Sequence, residues 1–127
     1  MASFGTLKAD TLTHSTAGSL ATNYVVNGSA KAWSFVNQVT AVIESSLNIS
    51  SHTDAGTGNS LFTYSSAFTS AFHSTQCSSQ PTTSAQERPK LFGTNTTTQI
   101  RIQNEDADDG TDRDTTDLCM NDLGDLA

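Results

Sequence analysis

The residues able to do chemistry in this chain are scattered rather than grouped. Its three histidines, His14, His52 and His73, stand on different segments, and no HxxxH or HExxH spacing brings two of them onto one metal. Each reads as a surface or turn residue. Ser and Thr make up roughly three residues in ten, so Ser/His/Asp combinations can be drawn almost anywhere. Without a GxSxG elbow or comparable context they carry no weight. The run Asp106-Ala107-Asp108-Asp109-Gly110-Thr111-Asp112 invites a calcium reading, because hard cations take converging carboxylates and a glycine lets such a loop turn. With Gly110 at the sixth place of an EF-hand loop, the first, third and twelfth places fall on Glu105, Ala107 and Thr116. Alanine cannot ligate and the bidentate glutamate is missing, so the segment reads as a solvated, partly irregular loop.

Cys77 and Cys119 show no metal-type spacing and are expected as free, small apolar residues rather than a disulfide pair. Asn27-Gly28-Ser29, Asn48-Ile49-Ser50 and Asn95-Thr96-Thr97 match the glycosylation sequon, and read as chance matches in a Ser/Thr/Asn-rich chain. Trp33, Phe35, Tyr64 and Phe68 are expected in the core, since the chain has few other large residues to fill one. No catalytic, cofactor-binding or metal-binding residue is assigned, and the chain is read as a non-enzyme without a cofactor.

The composition bounds what could position any site. The 127 residues suit one domain. Hydrophobic residues are 35% and charged residues 15% of the chain, both below ordinary globular usage of ~45% and ~25%. Abundant Thr, Val and Ile suit half-buried strands. So thin a core usually needs reinforcement, and oligomerisation is the expected route. The start Met1-Ala2-Ser3-Phe4-Gly5 lacks a basic n-region and an apolar h-region, and no run approaches the ~18 apolar residues of a span, so a soluble protein made in a cytoplasm, with no membrane insertion, is expected. Residues 1–104 are nearly neutral. Almost all of the net charge of −7 arises from Glu105 onward, where only Arg113 opposes the acids, which argues against a nucleic-acid partner.

Period-2 alternation is the strongest structural signal. Val39, Ala41, Ile43, Ser45, Leu47 and Ile49 alternate with mostly polar neighbours, as one strand bent near Ser45-Ser46 or two successive strands. Trp33 and Phe35 share one strand face. Asp54 to Asn59 predicts a turn leading to a strand through Phe62 and Tyr64. Ala71 to Thr75, Lys90 to Phe92, Thr97 to Ile102 and Leu118 to Met120 supply further strands, with Gln76 to Glu87 a polar loop around Pro81. The expected fold is all-β, an antiparallel sandwich or jelly-roll-like body over residues 30–127, preceded by an extended docking arm over residues 1–29 that ends at the turn signal Asn27-Gly28.

Several stretches also resemble a known family. Val26-Asn27-Gly28-Ser29-Ala30-Lys31-Ala32-Trp33, Ser46-Leu47-Asn48-Ile49-Ser50-Ser51 and Thr53-Asp54-Ala55-Gly56-Thr57-Gly58 are similar, in this order, to motifs of a β-rich domain of bacteriophage fibre and decoration proteins. Leu7 to Thr13 resembles the lead-in of short family members, and Gln99 to Ile102 through Asp117 to Met120 resembles the end of the domain. The turn after Trp33 and the strand Leu61 to Tyr64 depart from the family pattern. The resemblance implies a structural virion protein, assembled in the bacterial host cytoplasm and located in the virion. A capsid decoration protein (cement or head fibre) would bind the major capsid protein as a homotrimer through its arm. A short tail fibre or tail tip would bind a tail protein and a host surface glycan. A stand-alone lectin-like module is the rival from another class.

Overall fold

A computed structural model describes residues 10–14, 18–80 and 86–127. Ten strands and one short helix are present among them: β1 (Thr11–His14), β2 (Gly18–Ala21), α1 (Thr22–Gly28), β3 (Ala30–Asn37), β4 (Val42–Leu47), β5 (Ile49–Asp54), β6 (Asn59–Tyr64), β7 (Ser74–Gln80), β8 (Glu87–Leu91), β9 (Gln99–Asp106) and β10 (Asp117–Leu123). β3 to β10 form two antiparallel four-stranded sheets, ordered β4-β3-β10-β7 and β5-β6-β9-β8. The protein is therefore all-β, and its body is a sandwich. β1 and β2 form a separate hairpin that packs with α1.

The long alternating run resolves into two strands of different sheets. The break is at Asn48, whose φ of 57° lies in the left-handed region that Asn tolerates, rather than at Ser45-Ser46. Its side chain holds the corner in place: Asn48 Oδ1 accepts from Ser66 N at 2.7 Å, and Asn48 Nδ2 donates to Ser66 O at 3.1 Å. Val39 lies outside both strands, in the turn before β4. β5 and β6 form the expected hairpin, closed by Asp54 Oδ1 accepting from Gly56 N at 2.9 Å. Gly58 (φ 70°) is wedged there: a Cβ would stand 2.3 Å from Asn104 O and 2.9 Å from Arg113 N.

Two expectations about strands fail. Gln76 to Gln80 belongs to β7 rather than to a polar loop, because Thr75, Cys77 and Ser79 face inward and find partners there. Asn27 and Gly28 end α1 and do not form a hairpin turn.

The apolar core is small. Ala32 and Val36 from β3, Phe62 and Tyr64 from β6, Ile100 and Ile102 from β9, Leu118 and Met120 from β10, and Phe68 from the β6–β7 connection are its fully buried members. Polar bridges between the sheets supplement it. Tyr64 Oη donates to Asp122 Oδ2 at 2.6 Å, Ser79 Oγ to Asn104 Oδ1 at 3.0 Å, and Gln38 Nε2 to Ser60 Oγ at 3.1 Å. Each joins a strand, or the end of a strand, in one sheet to a strand in the other. A buried polar group that finds its partner avoids the desolvation penalty of an unmade bond, which is how so many Ser, Thr and Asn fit an interior.

Candidate functional site

Chemistry-bearing side chains gather most densely around Asp122. This fully buried carboxylate accepts from Tyr64 Oη and from Thr75 Oγ1, and His73 Nδ1 lies 3.4 Å from its Oδ1. The His73 ring stacks on Phe68, with centroids 4.4 Å apart, and meets the edge of Tyr64. His73 is thus an interior residue, not the surface residue its sequence context suggests: the side chain is 1% exposed. Thr75, Asp122 and His73 resemble a hydroxyl–carboxylate–imidazole set in composition only. The carboxylate takes the threonine hydroxyl directly, and burial closes the group to any substrate. Its role is to tie β6, β7, β10 and the connection before β7 together.

His52 is half-buried on β5. Its Nε2 lies 2.8 Å from Ser60 Oγ, and its ring is 5.2 Å from that of Phe62. Burial holds its pKa below the ordinary 6.5, against the raising effects of the Ala41 carbonyl and Asp54. His14 lies on β1, far along the chain from either. The structure does not bring the three histidines together, and among the described residues no three His, Cys, Asp or Glu side chains converge as metal ligands.

The acidic stretch is more ordered than its composition predicts. Glu105 and Asp106 are buried at the end of β9. Glu105 is paired with Lys90 and Arg88 of β8, and these two contacts hold its pKa below the ordinary 4.5. Asp106 pairs with Arg113 at 2.8 Å. Asp112 Oδ1 accepts from Gln103 Nε2 at 2.5 Å, and Asp114 Oδ1 accepts from Gly58 N at 2.6 Å. Asp109 Oδ1 accepts from Thr111 N at 2.9 Å, and its pKa is likewise lowered. The reading of a solvated loop is therefore corrected: cations from β8 and neighbouring amides take up much of the carboxylate capacity.

Cys77 and Cys119 are both free. They lie on neighbouring strands, but Cys77 pairs in register with buried Met120, whereas Cys119 pairs with exposed Ser78. The two thiols therefore point to opposite faces of the sheet. Burial raises the pKa of each, with Asp122 adding to the effect at Cys77 and Asp117 at Cys119.

The aromatic residues divide. Tyr64 and Phe68 are core, as expected, and stand edge to face at 4.9 Å. Trp33 and Phe35 are not core. Ala32, Ser34 and Val36 take the inward positions of β3, which turns Trp33 and Phe35 to the outer face. Trp33 remains 36% exposed. A period of two cannot say which face is inside, and the larger side chains here are on the outside.

Two further features reach the surface. Phe72, 98% exposed, stands beside a groove of about 350 Å³ also lined by Ala71, Leu91, Gly93, Thr94 and Asn95. On the N-terminal hairpin and helix, Leu12, Tyr24, Val25 and Val26 are all exposed. Comparison of the chain with protein-family models, curated proteins and solved structures finds no match.

Proposed function

We propose that the protein is a structural component of a bacteriophage particle, a capsid decoration protein that binds the shell as a homo-oligomer. The observation that carries this reading is the N-terminal hairpin and helix. β1, β2 and α1 pack with one another and leave Leu12, Tyr24, Val25 and Val26 open, an arrangement suited to docking on another protein. The family resemblance supports it further, because the similar motifs fall at structural positions that matter. Asp54 and Gly58 form the tight β5–β6 turn, and Asn48 makes the corner between β4 and β5. The proposed mechanism is burial: the arm covers apolar surface on a neighbouring shell subunit, and binding stabilises the shell by mass action.

Deleting residues 2–25 tests this directly. The expected result is a folded body that no longer binds particles assembled without the protein. Wild-type occupancy by the truncated chain would remove the arm from the reading.

A second reading, attachment to a host surface glycan by a tail component, is favoured by Phe72. A fully exposed aromatic ring beside Thr94 and Asn95 offers a stacking surface with polar groups at its edge. A glycan-array signal lost in Phe72→Ala would support it, and an array without signal would set it aside.

A further inference from the structure

We infer that the outer face of the β4-β3-β10-β7 sheet is the surface through which copies of this chain associate. The inference rests on the oligomer proposed above and names the face that forms it.

Strand register sets the composition of this face. Trp33 stands opposite Leu47 on one side and Asn121 on the other, and the adjacent row carries Phe35 opposite Cys119. Val42, opposite Asn37, extends the apolar area along the edge strand. Trp33, Leu47 and Val42 are all exposed. The outer face of the other sheet is different in kind: it bears Arg88, Lys90, Arg101, Gln103 and Glu105. Thus one outer face is polar and charged, while the other carries uncharged rows with a tryptophan at the centre.

Charge identifies the occupant. The chain carries −7, mostly on the acids from Glu105 onward. Two copies meeting near that segment would set like charges against each other. The rows through Trp33 and Phe35 hold no ionised side chain, so this face can meet an identical face without repulsion. A charged partner would find nothing there to pair with. Size is adequate as well. Four strands spaced ~4.8 Å apart, with about seven residues at ~3.3 Å each, span a flat area of roughly 440 Å². Side-chain relief, and Tyr24, Val25 and Val26 of α1 just before β3, add to it. A specific interface takes about 800 Å² per partner.

Trp33 is the single tryptophan, so its fluorescence reports on this face alone. Light scattering and acrylamide quenching, measured together over a concentration series, are expected to show an oligomer in which Trp33 is several-fold less quenchable than at high dilution. Leu47→Asp and Val42→Asp alter exposed positions and are expected to give folded monomers by circular dichroism, with Trp33 open at every concentration. If both variants keep the wild-type mass, the face is wrong although the oligomer stands. A wild-type monomer with Trp33 open at all concentrations sinks the face and the oligomer together. A monomer with Trp33 protected would mean that the chain covers this face with its own N-terminal segment, which also overturns the inference. Particle binding is measured separately: an oligomer that fails to bind particles leaves the face intact and removes the particle role.

Discussion

Tyr64 and Asp122 stand on strands of opposite sheets, and the tyrosine hydroxyl donates to the carboxylate at 2.6 Å with both residues buried. This bond reaches across the sandwich at the point where the apolar core gives way to polar groups. Tyr64→Phe keeps the ring and removes only the hydroxyl. A loss of about 1–3 kcal/mol in urea unfolding is expected, since Asp122 then lacks a buried donor. Burial and the neighbouring carboxylate both raise the Tyr64 pKa above the ordinary 10. The folded state therefore keeps a proton that the unfolded state releases, so stability is fully present below pH 10 and falls as pH rises beyond it. Thermal melts across that range should show the decline in wild type, and a shallower one in Tyr64→Phe.

Gly58 and Gly56 lie two residues apart in one turn, both at positive φ, but only Gly58 is crowded. Alanine at Gly56 meets open space and is expected to cost about 1–2 kcal/mol for its backbone conformation. Alanine at Gly58 adds a collision with Asn104 O and Arg113 N, and a markedly larger loss is expected. Equal denaturation midpoints for the two variants would contradict the wedged geometry.

Acid should weaken the fold in two stages. The His52 pKa is lowered, so its contribution is present above pH 6.5 and is lost as pH falls through the folded value. Glu105 and Asp109 also have lowered values, and their contribution is lost as pH falls below the ordinary carboxylate range of 4.5 and 3.8. His52→Gln is expected to remove the first stage from a stability–pH curve. Glu105→Gln is expected to reduce the second, and also to lower the salt sensitivity measured at neutral pH.

Opposed thiols cannot close a bridge without turning a strand over. The melting temperature is therefore expected to be the same with and without reductant. Raised pKa values hold both thiols protonated at neutral pH, so a disulfide-exchange reagent should label them slowly in the native protein and rapidly in denaturant. Fast native labelling at both positions would contradict the observed burial.

Alternation made much of the sandwich readable from sequence. The β5–β6 hairpin, with Phe62 and Tyr64 inward, and the Ile100/Ile102 pair of β9 follow the pattern closely. β7 escaped because Ser74–Gln80 contains no large apolar residue. Its inward side chains are secured instead by hydrogen bonds to Asp122 and Asn104. These partners lie 47 and 25 residues away in the chain, beyond the reach of any local pattern. The position of His73 was hidden for the same reason, since its surroundings come from β6, β10 and the β6–β7 connection. Trp33 was legible as a strand residue but not as an outward one, because the sense of β3 depends on which of its two faces the other sheet covers.

The mixture of apolar and hydrogen-bonded side chains inside the sandwich has a calorimetric consequence. Exposing apolar surface raises the heat capacity of the unfolded chain, whereas exposing polar surface lowers it. With Asn104, Asp122, Thr115, Ser60 and Gln38 buried alongside the aliphatic and aromatic side chains, these contributions oppose each other. The heat-capacity increment of unfolding should fall below the ~12–15 cal/mol/K per residue of ordinary domains. Its stability would then change little over a wide span of temperature, with cold denaturation displaced to lower temperatures than a purely apolar interior of the same size would give.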